Sequence, residues 1–261
     1  MSTGLQFDAD LARALELQYQ RPQMVLRRAA ALRLAAPKLG EDVLDVGCGP
    51  GFLCNDLAAG VGERGSVLGV DQSESMLGLA KARCAGWPWA RFELGDAASL
   101  PADDAAFDLV MSTQVLEYVS DIDRALSEIA RVLRPGGRTL LLATDWRSVA
   151  WHSSDDARMD RMLAAWEEHL AHPALPRTLA ARLEARGLRV GTLERYSIVE
   201  RADERTGYAA MLMGTLPGYC PGRRGVTEDE AQAWLADLEA LRERGEFHLS
   251  VGQYFFCATK G

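Results

Sequence analysis

The chain has 261 residues, of which 48% are hydrophobic and 25% charged, with a formal net charge of −8. That composition supplies a full globular core, while an acidic chain repels phosphate backbones and so excludes a broad nucleic-acid surface. Only three lysines occur among 29 basic residues, an arginine bias that points to a GC-rich genome.

Residues 8 to 37 read as helical, with a break at Arg21-Pro22. "DVLDVG" (42–47) is a short buried strand, and a helix follows from Gly51 to about Ala59. "SVLGVD" (66–71) is the next strand. "SESMLGLAKARC" (73–84) places Met76, Leu77, Ala80 and Cys84 on one helical face, with Ser73 as N-cap. "ARFELGD" (90–96) and "FDLVMST" (107–113) are the third and fourth strands. "DIDRALSEIARVL" (121–133) turns Ile122, Leu126, Ile129 and Leu133 inward. "RPGG" then stops that helix, because Pro135 cannot continue it and Gly136-Gly137 suit a turn. "RTLLLAT" (138–144) is the fifth strand.

Beyond it, "DDARMDRMLAAWEEHL" (155–170) carries Met159, Met162, Leu163, Trp166 and Leu170 on one face. "RTLAARLEARG" (177–187) is a helix ended by Gly187, and "LRVGTLERYSIVE" (188–200) a strand. A further helix is expected near 203–213. "TEDEAQAWLADLEAL" (227–241) opens with a capping box, Thr227 with Glu230. "HLSVGQYFFCATK" (248–260) is a terminal strand. Apolar strands alternating with helices over about 100 residues predict a parallel sheet covered on both faces.

The five cysteines, Cys48, Cys54, Cys84, Cys220 and Cys257, are scattered without C-x-x-C spacing. They predict neither a disulfide framework nor a zinc site. The N-terminus lacks a basic start and a long apolar core, so it does not read as a signal peptide. No apolar run reaches the ~18 residues of a membrane span. A cytoplasmic protein is the expectation.

"DVLDVGCGPGFL" (42–53) sets three glycines, Gly47, Gly49 and Gly51, behind a strand. A dinucleotide fingerprint would need its third glycine where Phe52 stands, and a phosphate-binding P-loop would need a lysine. The loop is therefore expected to receive something other than phosphate. Glycine lets a backbone lie directly against a ligand. Asp71, ending the next strand, is placed to accept two hydrogen bonds from a ribose diol.

In order, "VLDVGCGPG", "VLGVDQS", "FELGDAASLP", "FDLVMSTQVLEYV" and "LRPGG" resemble the successive signatures of class I S-adenosylmethionine-dependent methyltransferases, in their ubiquinone/menaquinone-biosynthesis form. The resemblance covers roughly residues 40 to 145, and "GQYFFCATK" resembles the family's closing strand. It implies a Rossmann-like, seven-stranded, mostly parallel α/β sheet whose last strand is antiparallel. It implies S-adenosylmethionine as cofactor and S-adenosylhomocysteine as product. By the same resemblance Asp45, Gly47 and Gly49 would hold the methionine part and Asp71 the ribose. Asp96 would accept from the adenine amino group, with the Ala97 N–H on the ring edge. Gln114 would lie beside the sulfonium, and Tyr19 on a helix closing over the cofactor.

A sulfonium carries an activated methyl, so catalysis requires mainly in-line positioning in a dry site. A base is needed only where the acceptor must lose a proton. The Asn-Pro-Pro-aromatic signature is replaced here by "STQV". The paired carboxylates of catechol-type metal sites, a Pro-Cys nucleophile and a set of pocket cysteines are missing too, so no metal is expected. Ligands of open parallel sheets sit at the carboxyl edges of the strands. The catalytic candidates are therefore His152, Glu117 and Asp145, with Asp145 able to pair with His152. Glu117 could bind a cationic acceptor or orient a base, though its position reads more readily as a surface carboxylate, and His152 more readily as a helix cap. Tyr118, Trp146, Trp151, Tyr208, Met211 and Tyr219 are the candidate acceptor-binding residues, or else lid packing.

One methyltransferase domain over 1–261 is expected. It would comprise a helical cap (1–40), a cofactor core (41–145), acceptor-pocket insertions (146–180 and 201–246) and a closing strand (248–260). The expected function is methyl transfer to a small, partly apolar metabolite, with O or N favoured and no nucleic-acid or membrane partner. A catalytically silent S-adenosylmethionine-binding module is the alternative, as is an enzyme using the sulfonium without transferring methyl. Oligomeric state stays open.

Overall fold

The structure is a computed structural model describing Glu16, Tyr19 and residues 20–261. The first part of the helix expected over 8–37 lies outside the described residues. Helix α1 (Pro22–Ala35) begins with Pro22 in its first turn and ends at Ala36 in the left-handed region, φ 45°. Proline suits that position because the N–H it lacks would have no partner there.

The order continues β1 (Asp42–Val46), α2 (Phe52–Val61), β2 (Ser66–Asp71), α3 (Glu74–Arg83), β3 (Ala90–Leu94), β4 (Phe107–Thr113), α4 (Ile122–Val132) and β5 (Leu133–Trp151). Then come α5 (Asp156–Trp166), α6 (Pro176–Glu184), β6 (Leu188–Arg201), α7 (Tyr208–Tyr219), α8 (Glu228–Glu243) and β7 (His248–Lys260). One-turn 3-10 helices lie at Leu116–Tyr118 and Glu167–His169. Ser73 caps α3 by accepting from Met76 N, and Thr227 and Glu230 form the reciprocal box that opens α8.

Seven strands form one sheet in the order β3-β2-β1-β4-β5-β7-β6. β1 pairs in parallel with β2 and β4, and β7 runs antiparallel between β5 and β6. This is the seven-stranded, mostly parallel arrangement expected. Side chains alternate along β1, so Val43 joins the core under α1 and α2 while Leu44 joins the core under α4 and α6. β1 is also where strand order reverses, and the crevice at its carboxyl end with β4 is where such sheets hold ligands.

Three elements differ from the sequence reading. First, "RPGG" is a bulge rather than a turn: Leu133 already pairs with Phe107, and pairing resumes at Leu109 with Arg138. Second, β5 does not end at Thr144. The long β7 pairs onward with it, through an irregularity, to Ala150 opposite Ser250 and Trp151 opposite Leu249. Third, the helix expected near 203–213 lies at Tyr208–Tyr219. The buried Glu200 carboxylate accepts from the N–H groups of Tyr208 and of Ala209, the latter at 2.9 Å. That cap reaches in from β6, which no local pattern reveals.

The stretch 146–180 divides between two cores. Met159, Met162 and Trp166 of α5 pack with α7 and α8, whereas Leu175 and Leu179 belong with α4 against the sheet.

Candidate active site

β1 is followed by a turn that only glycine makes without strain. Gly47, Gly49 and Gly51 have φ of 73°, 52° and 77°. The Gly47 and Cys48 N–H groups both donate to the Val70 carbonyl, at 2.7 and 3.0 Å, which lashes the loop to β2. A Cβ on Gly51 would meet the Ala80 Cα at 2.7 Å, and one on Gly47 would drive into Val115. At Gly49, by contrast, no atom among the described residues lies within 4 Å of that direction. Gly47 and Gly51 serve packing, and Gly49 faces open space.

Two carboxylates stand at this loop. Asp71 Oδ2 accepts the Gly49 N–H at 2.8 Å, and its Oδ1 accepts the Ser73 N–H at 2.9 Å. Burial raises the Asp71 carboxyl above its ordinary value. Asp45 is 2% exposed. The Cys54 thiol donates to its Oδ2 at 3.3 Å, while its Oδ1 is buried with no hydrogen-bond partner among the described residues. Burial pushes this carboxyl up to about 7. An orphaned oxygen beneath an open glycine loop fits an amino group or amide brought by a ligand.

A cavity lined by Tyr19, Arg27, Asp45, Gly47, Phe52 and Thr113, among others, opens at this loop. Tyr19 stacks on Phe52 with ring centroids 6.0 Å apart. The Gly95 N–H donates to the Asp71 carbonyl at 3.0 Å, so the next turn adjoins Asp71. There Asp96 is exposed and accepts the Ala98 N–H at 2.7 Å, and Ala97 is buried.

The fourth strand ends in a second constellation. Gln114 has φ 58°, an uncommon value for a residue with a side chain. Its N–H keeps the ladder by donating to Leu142 O at 2.8 Å, and its amide donates to Thr144 Oγ1 at 3.0 Å. Gln253 donates to the same hydroxyl at 3.0 Å. Both amide oxygens then accept from Arg27, that of Gln253 at 3.4 Å. Burial raises the Tyr208 phenol above its ordinary value, and the nearby Gln114 side chain partly offsets that rise. Glu117 is fully buried: Oε1 accepts the Thr144 N–H at 3.4 Å, and Oε2 has no partner among the described residues. Burial pushes its carboxyl up to about 7, and the Arg27 charge pulls the other way.

Residues 44–141 match the methyltransferase domain family. The chain carries a class I S-adenosylmethionine-dependent methyltransferase domain. It is similar to a demethylmenaquinone methyltransferase of Symbiobacterium thermophilum, 44% identical over 106 residues, which are 40% of this chain and 42% of that one. Across the curated relatives it matches first, the chain spans about a third to a half of their length. The YcgJ protein of Bacillus subtilis shares the fold at TM-score 0.65 and 20% identity, over 90% of this chain and 98% of that one. So does phosphoethanolamine N-methyltransferase 2 of Haemonchus contortus, solved with S-adenosylmethionine, at TM-score 0.62 and 19% identity, over 98% of this chain and 58% of that one.

In this methyltransferase domain the candidate residues separate. Tyr19, Asp45 and Gly47 line the cavity, Asp71 holds Gly49, and Gln114 and Glu117 stand at the end of β4. His152 does not join them. It is exposed, and its N–H donates to His248 O at 3.0 Å. The expected Asp145–His152 pair is not formed, since Asp145 is ion-paired with Arg177 at 2.9 Å. The reason is the continuation of β5: at ~3.3 Å per strand residue, His152 is carried far beyond Thr144.

Trp151 is buried against Trp234 and Phe247, inside the outer core rather than on a pocket wall. Trp146 is buried against Trp166, His169 and Tyr208. Met211 is half-buried on that core, Tyr219 packs on Trp166, and Tyr118 is partly exposed beside His169.

Arg27, Thr144, Gln253 and His169 were not singled out by the sequence reading. A signal for Arg27 existed, because it sits between Met24 and Ala31 on the buried stripe of α1, where a lone charge needs a partner. Among the described residues no three metal-ligating side chains gather, and no helix is long and apolar enough to cross a membrane.

Proposed function

We propose that the protein transfers the methyl group of S-adenosylmethionine to a hydroxyl or amine of a small, partly apolar acceptor, with Glu117 taking up the acceptor's proton. The reading rests on Glu117 above all. A fully buried carboxylate with one unpartnered oxygen stands at the end of β4, beside Gln114 and within the electrostatic reach of Arg27 and Tyr208. Its proton affinity, about 7, matches the optimum for a base working near neutrality.

The cofactor supplies an already activated methyl. In this reading Asp45, Gly47 and Gly49 hold its methionine part and Asp71 its ribose, with Asp96 and Ala97 at the adenine and Tyr19 closing over it. The orphaned Asp45 Oδ1 and the open space at Gly49 support that fit. Gln114, gripped by Arg27 and Thr144, keeps the end of β4 in a single arrangement. Residues 1–40, 146–180 and 201–246 would then cap the cofactor and shape the acceptor pocket. A small-molecule acceptor is supported by the name of the demethylmenaquinone methyltransferase relative, across the matched stretch alone.

The test is incubation with methyl-labelled S-adenosylmethionine and a metabolite extract. A labelled product one methyl heavier, lost with Glu117→Gln, is the expected result. Cofactor binding without any labelled product would identify a silent binding module instead.

A further inference from the structure

Among the described residues the sheet has two free edges, β3 and β6, and the sequence treats them differently. β6 carries the exposed Arg189, Arg195 and Arg201, and a bulge breaks its register between Val190 and Thr192. Like charges and bulges keep an edge from pairing with another chain. β3 reads Ala90-Arg91-Phe92-Glu93-Leu94 and pairs with β2 without a register shift. It has no proline and no bulge, and its two charges are opposite in sign.

The backbone phase of β3 is fixed at both ends. The Val67 N–H donates to the Trp89 carbonyl at 2.9 Å, and the Gly95 N–H to the Asp71 carbonyl at 3.0 Å. A parallel strand turns every second residue toward a given neighbour. Arg91 and Glu93 therefore give their backbone groups to β2, as Trp89 and Gly95 do, while Phe92 and Leu94 turn theirs outward. The side chains are available too. Leu94 is 54% exposed. Arg91 and Glu93 are exposed, and neither side chain makes a hydrogen bond or ion pair among the described residues.

We propose that the β3 edge is where two copies of this chain join, antiparallel about a two-fold axis at Phe92. Two seven-stranded sheets then run on as one. Each Phe92 exchanges N–H and C=O with the partner's Phe92, and the Leu94 N–H reaches the carbonyl of the partner's Ala90. Arg91 falls opposite the partner's Glu93, and Glu93 opposite the partner's Arg91. These are non-hydrogen-bonded positions, where facing Cα atoms stand only about 4.5 Å apart and opposite charges attract. Charge also selects the register. Moving the axis to Arg91 sets arginine against arginine, and moving it to Glu93 sets glutamate against glutamate. An axis between residues would oppose side chains from different faces of the sheet. The contact is isologous, so it closes as a dimer. It is independent of the methyl-transfer reading, which neither supports nor needs it.

Sedimentation equilibrium of the whole protein over a wide concentration series tests the proposal, and a reversible monomer–dimer equilibrium is the expected result. Glu93→Arg places arginine against arginine at both contacts and should weaken the dimer about tenfold or more, and Arg91→Glu should do the same with glutamates. Mixing the two single variants recreates both opposite-sign pairs, so a heterodimer should form. The double exchange Arg91→Glu/Glu93→Arg should dimerise like the wild type. Leu94→Pro removes an outward N–H without touching the bonds to β2, and should also dissociate the dimer. Circular dichroism checks the fold of each variant; if one reversal does not fold, the other decides with Leu94→Pro. A wild-type protein that is monomeric throughout overturns the proposal, whether another polypeptide or nothing then covers the edge. A dimer indifferent to the charge reversals and to Leu94→Pro overturns it as well, because its contact lies elsewhere.

Discussion

Arg27, on the N-terminal helix, donates to the side-chain oxygen of Gln114, the residue at which β4 turns away with φ 58°. A second amide oxygen, that of Gln253 on the last strand, receives the same guanidinium at 3.4 Å. A buried cation held by neutral oxygens keeps much of its field, and that field reaches Glu117, whose carboxyl it draws downward.

Replacing Arg27 by leucine should therefore move the Glu117 titration upward. If Glu117 is the base, the pH at which the single-turnover rate reaches half its plateau rises. A pH–rate profile of Arg27→Leu measures it, and an unshifted midpoint would show that the two groups are uncoupled.

Glu117→Gln should lower the single-turnover rate about 10²–10⁴-fold while leaving S-adenosylhomocysteine affinity intact. Stability should move the other way. The folded carboxyl titrates at about 7 against an ordinary value of 4.5, so the folded state binds the extra proton between those limits. Stability from this group is thus lost as pH rises through that window, by at most about 3 kcal/mol. The neutral His169 contributes with the opposite slope, so the difference between wild type and Glu117→Gln is the quantity to read. Denaturant unfolding at pH 5 and pH 8 should show the variant gaining on the wild type at the higher pH.

Gly51→Ala and Gly49→Ala should fail in different ways. At Gly51 the left-handed backbone adds to a clash with the Ala80 backbone at 2.7 Å, so a loss of about 2–4 kcal/mol is expected. At Gly49 the space is open, and the cost is the ~1 kcal/mol of a left-handed alanine. Thermal melts should separate the two. Calorimetry with S-adenosylhomocysteine should then find the folded Gly49→Ala protein weakened, its methyl group standing where the ligand approaches.

Asp71 accepts from both Gly49 and Ser73, so Asp71→Ala releases the glycine loop and removes the proposed ribose acceptor together. Charged hydrogen bonds are worth about 1.5–3 kcal/mol each, which predicts an affinity loss of tenfold or more. Asp71→Asn, which keeps one acceptor oxygen, should fall between. Equal calorimetric affinity in wild type and a folded Asp71→Ala protein would remove Asp71 from the site.

The sequence by itself determined the glycine turn after β1 and the acidic end of β2. A strand, a left-handed glycine turn and an acidic strand end are local features, set by backbone sterics, so "DVLDVGCGPGFL" and "SVLGVD" already marked Gly49 and Asp71, and the structure adds that the Gly49 N–H donates to Asp71. The strand-and-helix alternation likewise carried the parallel sheet. Only the tertiary structure decided what gathers at the end of β4. Arg27 and Gln253 are 226 positions apart, and nothing near either one announces the other. His152 and Glu117 looked alike in the sequence, each a titratable group just past a strand. The long antiparallel β7 extends β5 and carries His152 to the surface, while β5 and the segment after Glu167–His169 close over Glu117: the Thr144 N–H donates to its carboxylate and the His172 N–H to its carbonyl, at 2.9 Å. Burial of a polar group depends on what the rest of the chain stacks over it, and that is a property of the assembled layers rather than of any window of residues.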